Sequence, residues 1–141
     1  TASTLIEAAD LTLKQAQNMA VAAEAKAKEL GINVSVAILD QHGNDKLLFR
    51  MDDATCGSIK VAMLKANTSA SFRISSKQLG EKNLTQENHA FSHFPEVILL
   101  PGGLPITLGE NFVGGIGVSG GTSDQDELVA QSAIKGINSN N

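Results

Sequence analysis

From position 12 onward the apolar residues fall at helical spacing, as Ala16, Met19, Ala20, Ala23, Ala27 and Leu30, with polar residues between them. The spacing predicts a helix over about 12–30. Thr12-Leu13-Lys14-Gln15 has the form of a capping box at its start, and Gly31 is placed to end it in a left-handed turn. The period then changes. Residues 33–39 (NVSVAIL) are β-branched and partly alternating, 40–44 (DQHGN) carry turn chemistry, and 46–51 (KLLFRM) return, which predicts a β-hairpin. Helical spacing resumes over 55–72, where Ile59, Ala62, Met63, Ala66 and Ala70 read as one buried face. Residues 75–94 are less regular and accommodate a short helix or two. Val97 to Leu100 is a brief apolar run, counted here as a strand, and the PGGLP stretch at 101–105 interrupts it. Residues 106–108 and 112–119 flank Gly109-Glu110-Asn111, a second hairpin signal. Thr122 or Ser123 caps a last helix to about Ile137, with Asp124, Asp126 and Glu127 complementing its dipole. Hairpins require an antiparallel sheet, and helices before and after it make the expected class an α+β sandwich.

The chain has 141 residues, room for a single domain (1–141, core about 11–137) that needs neither disulfide nor metal to fold. A net charge of −4 with scattered Lys and Arg argues against nucleic acid or an anionic membrane surface as partner. With no Trp, no Tyr and five Phe, the chain also lacks the stacking platforms of a single-strand binder. No apolar run approaches the ~18 residues of a membrane span, and residues 1–10 have no signal-peptide pattern. The expected location is cytoplasmic, or secreted if a leader was removed ahead of residue 1.

Several local patterns invite a catalytic reading. Gly115-Ile116-Gly117-Val118-Ser119-Gly120 matches the dinucleotide fingerprint, but no further strand with an acidic residue follows it. Glycines that let a helix press on a crowded strand explain it more simply. Gly117-Val118-Ser119-Gly120-Gly121 matches a nucleophile elbow, yet His42, His89 and His93 all precede the serine, against the required order. His89 and His93 stand four apart, which on a helix puts both rings on one face, as metal or haem-iron ligands. Cys56 at a helix start reads as a small core thiol. Arg50, Lys60 and Lys65 are candidate partners for a carboxylate, and Met51 and Met63 are further candidates for an axial iron ligand. The PGG bend at 101–103 removes side chains and a backbone donor, which admits a second chain or opens a backbone-lined pocket. No catalytic residue is assigned. The polar set Asp40, Arg50, Asp52 and Asp126 is what an enzyme of a small acid or cofactor would use.

LTLKQAQNMA, VSVAILDQHGN, LLFRMDDA, the Lys65-Ala66 region, PGGLPI and GGIGVSGGTSDQDELVAQSAI together resemble the family of HbpS, GlcG and the PduO C-terminal domain. The resemblance runs from about Leu11 to Ile137, with Asp53 standing where a Gly is usual and an atypical 78–94 segment. It implies a profilin- or PAS-like antiparallel sheet of about five strands with helices on both sides. It also implies homo-oligomers (octamers in some members) and haem or related tetrapyrrole binding. A non-catalytic binding protein linked to glycolate, glycerol or diol utilisation is therefore the leading expectation. Arg50, Met51, Lys65, Gly102, Gly103 and Pro105 are its candidate ligand residues, with His89 and His93 for the iron. The alternatives are an oligomeric accessory subunit of a dehydratase or corrinoid system, and an enzyme of a small carboxylic acid or cofactor.

Overall fold

The computed structural model describes residues 10–139. Helix α1 (Leu13–Leu30) begins on the expected capping box: the Gln15 N–H donates to Thr12 Oγ1, and the Thr12 N–H donates to Gln15 Oε1. It ends at Gly31, whose φ of 72° directs its N–H back to the Lys28 carbonyl. Strands β1 (Ser35–Asp40) and β2 (Asp45–Arg50) form the first hairpin. Asp40 shapes its turn by accepting from the His42 and Asn44 N–H groups. Helix α2 (Cys56–Phe72) follows, then α3 (Ser76–Leu84) and a 3-10 segment (Glu87–His93). Strands β3 (Gly103–Leu108) and β4 (Asn111–Ser119) form the second hairpin, and α4 (Ser123–Lys135) closes the order.

The fold is α+β, and its sheet runs β2-β1-β4-β3 with every neighbour antiparallel. Among the described residues it has four strands, one fewer than expected, because 97–100 pair with no strand there. Side chains of the neighbouring helices satisfy that stretch instead. The Ile98 N–H donates to Thr68 Oγ1, Asn67 Nδ2 donates to the Glu96 carbonyl, and the Ser76 hydroxyl donates to the Leu100 carbonyl. The segment is a strap across α2, followed by the edge strand β3, where Pro105 needs no ladder donor.

Strand alternation sorts the core onto two faces. Val36, Ile38, Ile116 and Val118 point to the side covered by α1 and α4, joining Met19, Ala23, Val129 and Ala130 in the larger cluster. Ala37 and Leu39 point the other way, onto Ala62, Ala66 and Ala70 of α2. On that face Gly115 and Gly117 allow the α2 backbone to lie on β4. A Cβ built on Gly115 sits 2.6 Å from the Ala66 carbonyl oxygen, and one on Gly117 collides with that of Ala62. The glycines of the apparent dinucleotide fingerprint thus serve helix-on-sheet packing. Among the described residues no helix is long and apolar enough to cross a membrane.

Candidate functional site

Helix α2 presents two unlike surfaces because its residue sizes alternate. Its small residues Ser58, Ala62, Ala66 and Ala70 are buried toward the sheet. Its larger ones, Ile59, Met63 and Leu64, lie one step round the helix, with Cys56, Lys60 and Asn67. These six line an open groove of about 460 Å³, whose far wall is Leu39, Gly43 and Asp45 of the first hairpin and whose end is Glu96 of the strap. The floor is aliphatic and thioether. Lys60 supplies a cation at the wall, and Asp45 and Glu96 supply acidic groups at the rim. Met63 is 38% exposed, and Cys56 is exposed rather than the core thiol its composition suggested. A cavity of this size with few polar groups suits a small amphipathic ligand.

Arg50 shapes the approach to this groove. Its Nη1 donates to the carbonyls of Ala54 at 2.7 Å and Asp52 at 3.2 Å, pinning the loop that leads into α2. No ion pair of Arg50 with Asp52 or Asp53 exists among the described residues. Met51, next in the chain, is buried, and its sulfur accepts from the Val34 N–H at 3.3 Å.

Lys65, Gly102 and Gly103 meet on the opposite side of α2. The Lys65 side chain is 3% exposed, its Nζ 3.0 Å from Asp126 Oδ2 and donating to the Val118 carbonyl at 2.9 Å. Asp126 also accepts from the Gly121 N–H at 2.8 Å. Burial pushes the Asp126 carboxyl above its ordinary range, against the lowering pull of Gly121 and of the Lys65 ammonium. Gly102 has φ of 125°, and a Cβ there sits 2.6 Å from the Val118 oxygen and 2.8 Å from Lys65 Nζ. The Gly103 N–H donates to Ser76 Oγ. These contacts tie α2, α4 and both strands of the second hairpin together. They leave the Lys65 ammonium no route to solvent.

The sequence candidates are therefore not brought to one place. Arg50 and Gly103 lie on the two outer strands, β2 and β3, three strand spacings or roughly 14 Å apart across the sheet. His89 and His93 are both exposed, and neither lines the groove. Their segment is 3-10 with Asn88 and His89 at φ of 65° and 48°, so the helical i, i+4 geometry does not form, and His93 Nε2 bonds the Asn88 carbonyl. Phe72, Phe91 and Phe94, with ring centroids 5.6–5.9 Å apart, hold this segment on the end of α2. Among the described residues no three His, Cys, Asp or Glu side chains gather as a metal site. Sequence reasoning missed the groove because it merged both surfaces of α2 into one face. The contrast between Ala62, Ala66, Ala70 and Ile59, Met63, Leu64 was the available signal.

Residues 11–135 match the family model described as haem-degrading protein, HbpS-like. The chain is 34% identical over 129 residues to an uncharacterized 15.0 kDa protein in the dhaT-dhaS intergenic region of Citrobacter freundii, covering 89% of this chain and 91% of that one. It is 34% identical over 122 residues to the corrinoid adenosyltransferase PduO of Salmonella typhimurium, covering 83% of this chain but 36% of that longer protein. Its fold superposes on the crystal structure of a PduOC:haem complex with a TM-score of 0.83 at 30% identity, covering 92% of this chain and 96% of that one.

Proposed function

This chain belongs to the HbpS-like family, and we propose that within it the protein is a non-catalytic accessory that binds haem or a related tetrapyrrole in the α2 groove. The observation that carries the reading is the groove itself. Its aliphatic floor, its thioether and thiol and its single wall lysine match a flat apolar macrocycle bearing carboxylates and a metal. The similarity to a domain crystallised with haem supports the choice of macrocycle. Similarity to a corrinoid adenosyltransferase favours a second reading, in which the groove serves a corrinoid-handling system. Assembly as a homo-oligomer belongs to the same proposal, since an open groove on one copy is closed most simply by another.

Titration of the full chain with haemin, followed at the Soret band, tests the reading, with cobalamin titrated in parallel. Saturable one-to-one binding of haemin is expected. Ile59→Glu in the floor should weaken it by at least about tenfold, and Lys60→Glu by about threefold to tenfold, on the scale of one desolvated or paired charge. No saturable Soret change, or wild-type affinity in both variants, overturns the haem reading. Saturable binding of cobalamin alone selects the second. Light scattering at micromolar concentration reads the assembly, and a mass of 14.7 kDa refutes it.

A further inference from the structure

We propose that the patch formed by Phe72, Leu84, Phe91 and Phe94 is the surface on which a second copy of this chain docks, each patch meeting its counterpart across a twofold axis. The inference rests on the assembly reading above and adds the surface. A chain with five Phe and neither Trp nor Tyr has few aromatic rings to place. Phe49 and Phe112 pack against the two core clusters. The other three belong to neither cluster and meet one another at the C-terminal end of α2. Phe72 and Phe94 stack, and Phe91 stands edge-on to both. Phe72 is 38% exposed, Phe94 43% and Leu84 74%. Leu84 adjoins the rings through its neighbour Asn83, whose side-chain amide accepts from the Phe91 N–H and donates to Ser92 Oγ.

The patch is held in place although it is not covered. Every residue of 84–96 is exposed or half-buried, so the stretch buries no side chain fully against its own chain. Its backbone is nonetheless tied down, by Asn83 at one end and by Asn67 Nδ2, which donates to the Glu96 carbonyl, at the other. Arg73, Asn88, His89 and Glu96 flank the three rings at φ of 48–65°, a conformation that side chains adopt only where the surroundings impose it. Apolar surface presented by an ordered segment in this way marks a contact with another molecule. The rim identifies that molecule. It carries both signs, with Arg73 and Lys82 against Glu87 and Glu96, all exposed. A strongly acidic or basic partner calls for a rim of one sign, whereas a mixed rim carried round a twofold axis sets each sign against its opposite. An aromatic centre inside a polar rim is the anatomy of such an interface. The patch ends at Glu96, which is also the end of the α2 groove, so a copy docked here closes the groove at that end.

The test is sedimentation velocity of the full chain from low to high micromolar concentration, comparing wild type with Leu84→Glu, Phe94→Glu and Val21→Glu. Val21, 58% exposed on α1, is the control. Far-UV circular dichroism checks that each variant keeps its fold. Wild type is expected to sediment above 14.7 kDa. Leu84→Glu and Phe94→Glu should each raise the dissociation constant at least about tenfold, the scale of a residue at the centre of an interface, and Val21→Glu should leave it unchanged. Phe94 also holds its own segment, so amide hydrogen exchange of wild type supplies a readout free of substitution. Residues 84–96 should exchange more slowly at high than at low protein concentration. Wild-type assembly in both patch variants, dissociation by Val21→Glu alone, or exchange of 84–96 that ignores concentration overturns the patch and leaves assembly through another face standing. A wild-type mass of 14.7 kDa throughout overturns the assembly reading, and this inference with it. Protection of 84–96 in a monomeric chain by phosphatidylcholine vesicles assigns the surface to lipid and overturns the inference as well.

Discussion

Removing half of the Lys65–Asp126 pair should damage the fold more than removing both charges. Lys65→Met keeps the side-chain length and deletes the ammonium. It leaves Asp126 at 3% exposure with the Gly120 and Gly121 backbone N–H groups as polar contacts and no counter-charge, and leaves the Val118 carbonyl without its side-chain donor. Orphaning one partner of a buried pair costs about 3–5 kcal/mol at neutral pH, because the remaining charge has lost both water and its counter-ion. With roughly 2.1 cal/mol/K of unfolding entropy per residue, a chain of this length loses about 10–17 °C in Tm. Asp126→Asn keeps an acceptor for Gly121 and strands the ammonium, at a similar cost. The double variant strands neither charge, so it should lie at least about 1.5 kcal/mol above the sum of the two losses. Urea unfolding at fixed protein concentration supplies the cycle. Far-UV circular dichroism is the suitable probe, since the chain has neither Trp nor Tyr. Losses below about 1 kcal/mol in both single variants, or strict additivity in the double, would refute the view that the pair is a coupled, desolvated unit.

The same carboxyl sets a pH dependence. Burial raises the Asp126 pKa above its ordinary value of 3.8, so its contribution to stability is full below that value and is lost as pH rises through the raised one. The stability of wild type relative to Asp126→Asn should therefore fall as pH rises above 3.8, and a rise would refute the sign. Gly117→Ala drives a methyl into the Ala62 carbonyl and should cost about 1–3 kcal/mol, while Gly43→Ala, with open space but φ of 81°, should cost about 1 kcal/mol; thermal melts of the two variants compare them. Thr122→Ala removes the hydroxyl that accepts from the Gln125 N–H at the start of α4 and should cost about 1 kcal/mol by urea midpoint.

Local chemistry made much of the architecture legible in advance. The capping box at Thr12, the left-handed stop at Gly31, the DQHGN turn and the Thr122 cap are decided within four or five residues, so the sequence states them directly. The α+β class followed from their order. What lay beyond local reach needed the third dimension. Residues 97–100 have the composition of a strand, but whether they pair depends on what stands beside them, and Thr68 and Ser76 meet their backbone before any strand does. The spacing of His89 and His93 implies a shared face only on a helix, and the backbone at 88 and 89 is not helical. Lys65 and Asp126 lie 61 residues apart, and no pattern along the chain distinguishes a buried lysine from a solvated one. The groove draws its walls from a hairpin, a helix and a strap distant in sequence. The sequence by itself determined where elements start, stop and turn, because those choices are made by neighbouring residues competing for the same backbone groups. Tertiary structure alone decided which charges are buried, which face of α2 meets the sheet, and which donors share a cavity. Those outcomes depend on packing between segments that become neighbours only when the chain folds.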